Sequence, residues 1–216
     1  MIENKYGIMK RYLPIYLLLA ALNVQSKEIS SNSKQYGDCG LNNKSKQLAQ
    51  LVIEADSQQR ITLTCNKQLA QAAYQKAKEM AEAQKVSHYI NYISPNELLA
   101  KAGIELPFSY NKVGNQVEAV SGGMRTSQES FDYFMTSENH KMHLLGENDF
   151  YKKQDKIGVG HYVDKSKKHV DYWVVYITSL REQGDTFNSV LRFKPTVFKP
   201  KVQKRKKRML GNYRIR

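Results

Sequence analysis

The sequence predicts an α+β fold in which helical layers cover both faces of one sheet, as in a three-layer α-β-α sandwich. Two observations carry this prediction. Apolar residues recur at helical spacing in several segments of the first two-thirds of the chain. A later segment, HVDYWVVYITS at residues 169–179, is apolar on both strand parities, and such a strand has to be covered on both faces. Helices that alternate with few strands supply that cover.

The first 26 residues are predicted to be a secretory signal peptide. Lys10 and Arg11 precede an apolar run, LPIYLLLAAL, and Val24 and Ser26 then place small residues at positions −3 and −1 of a cleavage site. The run is short for a helix that crosses a bilayer. Export to the periplasm or the cell exterior, with cleavage near Ser26, is therefore the main prediction, and a retained membrane anchor is the alternative.

Residues 27–42 are polar and are predicted to form a loose N-terminal arm. Cys39 and Cys65 are the only cysteines of the chain. In an oxidising compartment we expect them to pair, and an unstrained bridge would contribute about 3 kcal/mol to stability. Two free thiols are the alternative. The chain contains no C-x-x-C pair, so redox catalysis has no support.

Two helices are predicted next. The first has apolar residues at i, i+3, i+4 and i+7: Leu48, Leu51, Val52 and Ala55. Residues 58–65 form a connector to the second helix, which has Asn66 as its N-cap, an apolar stripe over residues 69–80 and its end near Gln84.

The middle of the chain is predicted to alternate between loops and short elements. Residues 88–96 form a loop because Pro95 disfavours helix at Ser94. A short helix covers residues 96–102, and residues 111–123, NKVGNQVEAVSGG, are predicted to form a strand that ends in a Gly-Gly turn.

The last predicted elements are a helix and a hairpin. Thr126 and Glu129 have the spacing of a capping box, and the aromatic-faced helix behind them runs into SENHKMHLL at residues 137–145. Residues 157–165 and 169–179 flank a Lys-rich turn, which is typical of a β-hairpin.

The net charge of +14 is concentrated in residues 181–216, which carry 12 Lys and Arg against 2 Asp and Glu. Residues 27–180 carry 19 against 17, so the body of the protein is nearly neutral and we expect no specific nucleic-acid binding. The tail is predicted to be extended or disordered. Its densest cluster is a candidate site for an anionic surface or lipid, with a solvated, non-specific tail as the alternative: Lys204, Arg205, Lys206, Lys207 and Arg208.

The order of these parts resembles the CAP superfamily (SCP-like extracellular proteins), which includes cysteine-rich secretory proteins, antigen 5 and pathogenesis-related proteins. The resemblance covers about residues 43–180 and is of the bacterial type. The bacterial pattern S-P-G-H-R-x-N-I-L followed by I-G-V-G is matched here by SENHKMHLL at residues 137–145 and by IGVG at residues 157–160. The resemblance implies a secreted domain with an α-β-α sandwich fold. We expect a monomer.

The resemblance also implies a cleft in which two histidines and one or two glutamates can hold a divalent metal, often zinc. The matched histidines are His88 and His140. The strand glutamate of the family is replaced by Asn115, whose neutral amide is a poor zinc ligand. Glu118 is the nearest carboxylate, but an unbulged strand would turn it to the opposite face. We therefore expect either a weak metal site or a hydrogen-bonded cleft that keeps only its histidines.

Four neighbouring residues need separate interpretation. His143 stands where relatives usually carry Asn, and it either imitates that residue's hydrogen bonds or is a satisfied second-layer residue at a helix end. Ser137 is close to His140 in sequence, but no motif makes it a nucleophile. Glu129 is assigned to the capping box, and Glu147, which lies after the histidines in G-E-N, is given no role.

Three functions stay open on the sequence. The first is a secreted, non-catalytic ligand-binding or interaction module, with a lipid among the candidate ligands. The second is a divalent-metal-dependent hydrolase that uses the His88 and His140 cleft. The third is attachment to anionic surfaces through the basic tail. Enzyme chemistry has little support, because a hydrolase needs an activated nucleophile or a metal-bound water with a base beside it.

Overall fold

The computed structural model describes residues 35–182, which all belong to one compact unit. The predicted signal peptide, residues 27–34 of the arm and the basic cluster at residues 204–208 lie outside the described residues. None of the helices between residues 35 and 182 combines the length and the apolar character needed to cross a membrane.

Within this range the chain forms a mixed α+β structure. Its helices are α1 (Asn43–Ile53), α2 (Lys67–Glu82), α3 (Pro95–Lys101), α4 (Ser127–Met135) and α5 (Glu138–Leu145). Its strands are β1 (Thr64–Cys65), β2 (Glu118–Gly122), β3 (Lys156–Val163) and β4 (Asp171–Thr178). They form one four-stranded sheet in the order β1-β3-β4-β2, in which only the β1–β3 pair is parallel. The α+β composition and the β3–β4 hairpin are as the sequence predicts.

Strand β4 is buried along its whole length, and its two faces contribute to different cores. One parity joins a core with residues of α1, α4 and α5: Trp173, Val175 and Ile177. The other parity joins a core with residues of α2 and α3: Tyr172, Val174 and Tyr176. The apolar character on both parities therefore reflects burial from two sides.

The IGVG sequence in β3 has a packing reason. A Cβ atom at Gly158 would lie 2.2 Å from the backbone nitrogen of Ala70, and one at Gly160 would lie 2.1 Å from the carbonyl carbon of Ala73. No side chain can occupy that space, so the two glycines let α2 lie directly against the strand. Close approach of backbones is a frequent reason for glycine inside a strand.

The predicted helix starts agree with the hydrogen bonds. The Asn66 side chain accepts from the Leu69 backbone N–H and caps α2. Thr126 and Glu129 form the expected capping box at α4. The short helix α3 begins one residue earlier than predicted, at Pro95, because proline suits the first helical position.

The prediction of a loose arm is wrong for residues 35–42. Cys39 is fully buried and forms the expected disulfide with Cys65. Tyr36 is 4% exposed, and its hydroxyl donates to the Glu54 carboxylate after α1. Burial and this hydrogen bond raise the pKa of Tyr36 to about 12. The bridge and the buried tyrosine hold this segment against the body of the protein.

Strand predictions fail at two places. The predicted connector at residues 58–65 contains a strand, because Thr64–Cys65 pairs with β3 in parallel, and this pairing is too short to show a periodicity. Conversely, only Glu118–Gly122 of the predicted strand at residues 111–123 is a strand. The residues before it form a loop, because the Asn115 side chain accepts from the backbone N–H of Glu118 and folds the chain locally.

The prediction of one aromatic-faced helix that runs into residues 137–145 is also wrong. Helix α4 ends at Met135, and Ser137 caps a separate helix, α5, by accepting from the backbone N–H of His140 at 3.5 Å. Serine competes for backbone groups in this way and favours helix starts over helix interiors. His140 therefore lies in the first turn of α5, where it faces residues of other elements.

Candidate functional site

A cleft of about 400 Å³ lies at the start of β2, between the loop that contains His88 and helix α5. Asn139 and Tyr151 contribute to its polar lining. All six residues that the sequence analysis associates with the cleft also line it: His88, Asn115, Glu118, Ser137, His140 and His143. Residues separated by about fifty positions in the chain thus meet in one concave surface, which is the usual setting of a ligand site.

His88 is held by a buried carboxylate. Its Nδ1 lies 2.9 Å from Oε1 of Glu118, whose side chain is fully buried. The second oxygen, Oε2, accepts from the Tyr176 hydroxyl at 2.8 Å and lies 3.9 Å from Nζ of Lys76. Lys76 also donates to the His88 carbonyl at 2.7 Å. A buried carboxylate needs such partners to offset the cost of its burial. Here they hold the Glu118 carboxylate in contact with the His88 imidazole.

The prediction that Glu118 points away from Asn115 is wrong. Asn115 precedes the strand, so the alternation of strand side chains does not apply to it. Its Oδ1 accepts from the Glu118 backbone N–H at 2.9 Å, and its Nδ2 donates to the Glu118 carbonyl at 3.0 Å. This local turn brings both side chains to His88.

The contacts of His88 place a hydrogen-bond donor at Nδ1. An ionised carboxylate only accepts hydrogen bonds, so the short contact with Glu118 requires a proton on Nδ1 of His88. The amide nitrogen of Asn115, 3.0 Å from the same Nδ1, is then left to its bond with the Glu118 carbonyl. Nε2 of His88 is left for a ligand, on a side chain that is 35% exposed. The cleft gains one imidazole nitrogen of fixed orientation.

His140 provides the complementary group. Its ring centroid lies 6.4 Å from that of His88 and 5.1 Å from that of Phe134, which it meets edge to face. Burial, followed by the charge of His88, lowers the pKa of His140, so the ring is neutral at pH 7. Its Nδ1 is buried and has no hydrogen-bond partner among residues 35–182. Because orphaned buried N–H groups are the rarer kind, we assign the proton of His140 to Nε2.

His143 is the most buried of the three cleft histidines. It is 4% exposed, its Nε2 lies 3.3 Å from the carbonyl oxygen of Ile177, and its ring centroid is 4.9 Å from that of Tyr151. Burial is the main cause that lowers its pKa to about 3, so His143 is neutral and donates to the carbonyl. Of the two interpretations from sequence, its geometry fits the satisfied second-layer residue.

Helix α5 is fixed at both ends, which holds His140 in place. Ser137 caps its start, and Gly146 ends it with a φ of +69°. The guanidinium of Arg60, 6% exposed, donates to the carbonyls of His143 at 2.7 Å and Leu144 at 2.8 Å. Burial lowers the pKa of Arg60 to about 10.

Sequence reasoning missed three residues that support the cleft: Lys76, Tyr176 and Arg60. One signal was present. Lys76 lies three residues after Ala73 and four before Met80, inside the apolar stripe of α2. A lysine at such a position is rarely left unpaired. Tyr176 gives no such signal, since it continues the apolar face formed by Tyr172 and Val174. Arg60 gives none either, since it lies in a polar connector.

The residues present do not fit a tight zinc site. Structural and catalytic zinc sites use three or four protein ligands, and nowhere in residues 35–182 do three His, Cys, Asp or Glu side chains form a cluster able to hold a metal. Both oxygens of Glu118 are already engaged. Glu129 lies in its capping box, and Glu147 pairs with Lys141 at 3.6 Å. Two imidazoles remain, which is a donor set for weak binding at most.

Comparison with known proteins adds one distant likeness. No family model matches the sequence, and no curated protein matches it. Among solved structures, an outer surface protein from Borrelia burgdorferi is similar, with a TM-score of 0.49 and 18% sequence identity. The match covers 66% of this chain and 99% of that one. A likeness at this level assigns neither a fold family nor a function to the chain.

Proposed function

We propose that the chain is an exported protein with a CAP-type domain, built as an α-β-α sandwich, and that its cleft binds a small ligand without turning it over. The separate cores on the two faces of the sheet support the sandwich. The Cys39–Cys65 disulfide supports an oxidising location such as the periplasm or the cell exterior. The basic cluster at residues 204–208 is a proposed second contact, for anionic surfaces.

The observation that carries the binding function is the fixed imidazole pair. His88 is orientated by a carboxylate that is itself held by Tyr176 and Lys76. An orientated imidazole beside a neutral one, in a polar cleft, is suited to forming hydrogen bonds with a ligand. Such preorganisation reduces the entropy lost on binding.

The same geometry gives little support to catalysis. The Ser137 hydroxyl serves as a helix cap and contacts the backbone N–H of His140, not its imidazole. A serine nucleophile needs a base within hydrogen-bond reach, and among the described cleft residues no such pair is formed. A metal-dependent hydrolase, the alternative, would need at least one more ligand than His88 and His140 supply.

The experiment is a fragment screen by ligand-observed NMR on the protein from residue 27 onward. We expect a subset of neutral polar fragments to bind and to lose binding in both His88→Ala and His140→Ala. His169→Ala is the matched control, since His169 lies beside the hairpin turn and does not line the cleft. Fragments that bind all three variants equally would refute the cleft as the binding site.

Zinc is the second arm of this experiment. We expect calorimetric titration with zinc chloride to give weak binding or none, and we expect no zinc-dependent hydrolysis of p-nitrophenyl esters. Tight zinc binding that both histidine variants abolish, together with such hydrolysis, would favour the hydrolase over the binding module.

A further inference from the structure

A tight turn follows His88 directly. Ile90 and Ile93 form an isolated β-bridge, and the Ile93 N–H donates to the Ile90 carbonyl at 3.0 Å. The two central residues, Asn91 and Tyr92, both have positive φ, 51° and 62°. This is the left-handed region, and a turn with both central residues there is of type I′. Asparagine tolerates this conformation, whereas glycine is the favoured residue at the second central position.

Tyr92 is an unfavourable choice for the turn itself. A side chain with a Cβ costs free energy in the left-handed region, and a buried ring would repay that cost. The Tyr92 side chain is instead fully exposed, at 101% of its reference area, and neighbouring Tyr89 is 49% exposed. The ring therefore adds nothing to folding that would offset its conformation. A strained and exposed aromatic side chain points to a contact outside the chain.

The charge around the turn limits the kind of partner. Between Lys85 and Lys101 the chain contains no Lys or Arg, and its one carboxylate there is Glu97. That carboxylate accepts from the Ser94 hydroxyl at 2.6 Å and from the Ser94 N–H at 3.0 Å in the capping box of α3. Nothing in the segment selects for an anionic partner such as a nucleic acid or an acidic membrane. The chemistry on offer is an aromatic face with neutral hydrogen-bonding groups.

The cleft offers matching chemistry nearby. Tyr92 is four residues from His88, so at most about 14 Å of chain separates them. His88 presents its Nε2 to the cleft, and His140 presents a donor at Nε2. A hydroxyl group both donates and accepts, so it can bond to the two imidazoles together.

We propose that the cleft and the turn Tyr89–Tyr92 form one extended site for a neutral saccharide. The C–H face of a sugar ring packs on the exposed tyrosines, and a hydroxyl forms hydrogen bonds with His88 and His140. The inference rests on the proposed binding function and names its ligand class. Sugar rings suit both halves of the site because one face is apolar while the edges carry hydroxyls.

The test is titration of the isotope-labelled protein, from residue 27 onward, with four neutral tetrasaccharides: cellotetraose, chitotetraose, maltotetraose and mannotetraose. We expect at least one to shift the resonances of Tyr89, Tyr92 and His88 together. Tyr92→Gly should weaken that binding about tenfold, in line with the loss of one stacking contact, while the variant stays as stable as the parent because glycine suits the turn. Tyr133→Ala, which removes a 46% exposed tyrosine on α4, is the control and should bind normally.

The outcomes separate the two proposals. If none of the four sugars shifts the turn and the cleft, or if Tyr92→Gly binds as tightly as the parent, the saccharide inference is wrong. The binding function would still stand if fragments bound the cleft and required His88 and His140. Binding of phosphatidylcholine vesicles through Tyr92, without any sugar binding, would identify the turn as a membrane contact and overturn the inference.

Discussion

Residues 35–182 contain two histidine–carboxylate pairs in similar contact and in different surroundings. In the cleft, Nδ1 of His88 lies 2.9 Å from Glu118; near the turn of the hairpin, Nε2 of His161 lies 2.8 Å from Asp171. The His88 side chain is 35% exposed, whereas the His161 side chain is 3% exposed. The pairs are alike in chemistry, and of the two only the first lines the cleft.

The hairpin pair is enclosed by packing. The His161 ring lies on the Trp173 ring with 4.0 Å between centroids and a tilt of 32°. Asp171 also accepts from Nζ of Lys44 at 3.3 Å. Burial lowers the pKa of His161, although the hydrogen bond with Asp171 opposes the shift. The comparison teaches that a carboxylate partner orients an imidazole in both cases, and that the exposure of the ring decides whether a ligand can reach it.

The largest expected effect separates the pairs by stability. His161→Ala should lower the free energy of unfolding by about 3 kcal/mol, because it leaves a cavity against Trp173 and a buried carboxylate short of a partner. His88→Ala should cost about 1 kcal/mol or less, since its ring is partly exposed and Glu118 keeps Tyr176 and Lys76. Urea denaturation at pH 7.5 measures both. Equal losses would mean that the cleft histidine is as much a packing residue as the other.

The next effect concerns His143, a buried imidazole whose hydrogen-bond partner is the backbone carbonyl of Ile177 instead of a carboxylate. The pKa of His143 falls from 6.5 to about 3 in the folded protein. Between these values the unfolded chain binds one proton more, so stability present above pH 6.5 is lost as the pH falls. The loss attributable to His143 is roughly 2.5 kcal/mol between pH 6.5 and pH 4.5.

His143→Gln tests this contribution, because glutamine can donate to the Ile177 carbonyl but does not titrate. The variant should be less stable than the parent at pH 8 and should regain roughly 2.5 kcal/mol relative to it by pH 4.5. Thermal or urea unfolding across that range gives the difference curve. A difference that stays constant with pH would contradict the buried, neutral state of His143.

The sequence predicts the hairpin pair far better than the cleft pair. His161 alternates with Val159 and Val163, so the periodicity of one strand is enough to assign it to a packed face. Its partner Asp171 shares a parity with Trp173 on the adjacent strand. Local rules therefore assign His161 to structure, although they do not pair it with Asp171 or with Lys44.

The cleft pair depends on long-range features that no local pattern contains. Glu118 reaches His88 because the strand begins at Glu118 and the turn at Asn115 precedes it; a one-residue change in that start would reverse the facing. The family resemblance brought the two cleft histidines together, but it gave no information on Lys76 or on the break before Ser137. Buried polar networks are specified by the tertiary fold, and the sequence shows them only as single residues out of pattern.

The smallest expected effect concerns Lys44 and its influence on the pKa of His161. Lys44, with 43% of its side chain exposed, approaches Asp171 from the solvent side and is one of the causes that lower the pKa of His161. Lys44→Met should therefore raise the pKa of His161, measured from the ring proton shifts by NMR, with a stability change within about 0.5 kcal/mol.

Lys78→Met is the matched control for this change, because Lys78 makes a comparable exposed contact, with Glu82 at 3.8 Å. An unchanged pKa of His161 in Lys44→Met would show that burial and Asp171 set its titration without Lys44. The expected rise would show that a solvent-side cation helps to keep His161 neutral. In the cleft the corresponding cation is Lys76, whose side chain is fully buried beside Glu118. It therefore does not cover the exposed part of the His88 ring, which stays open for a ligand.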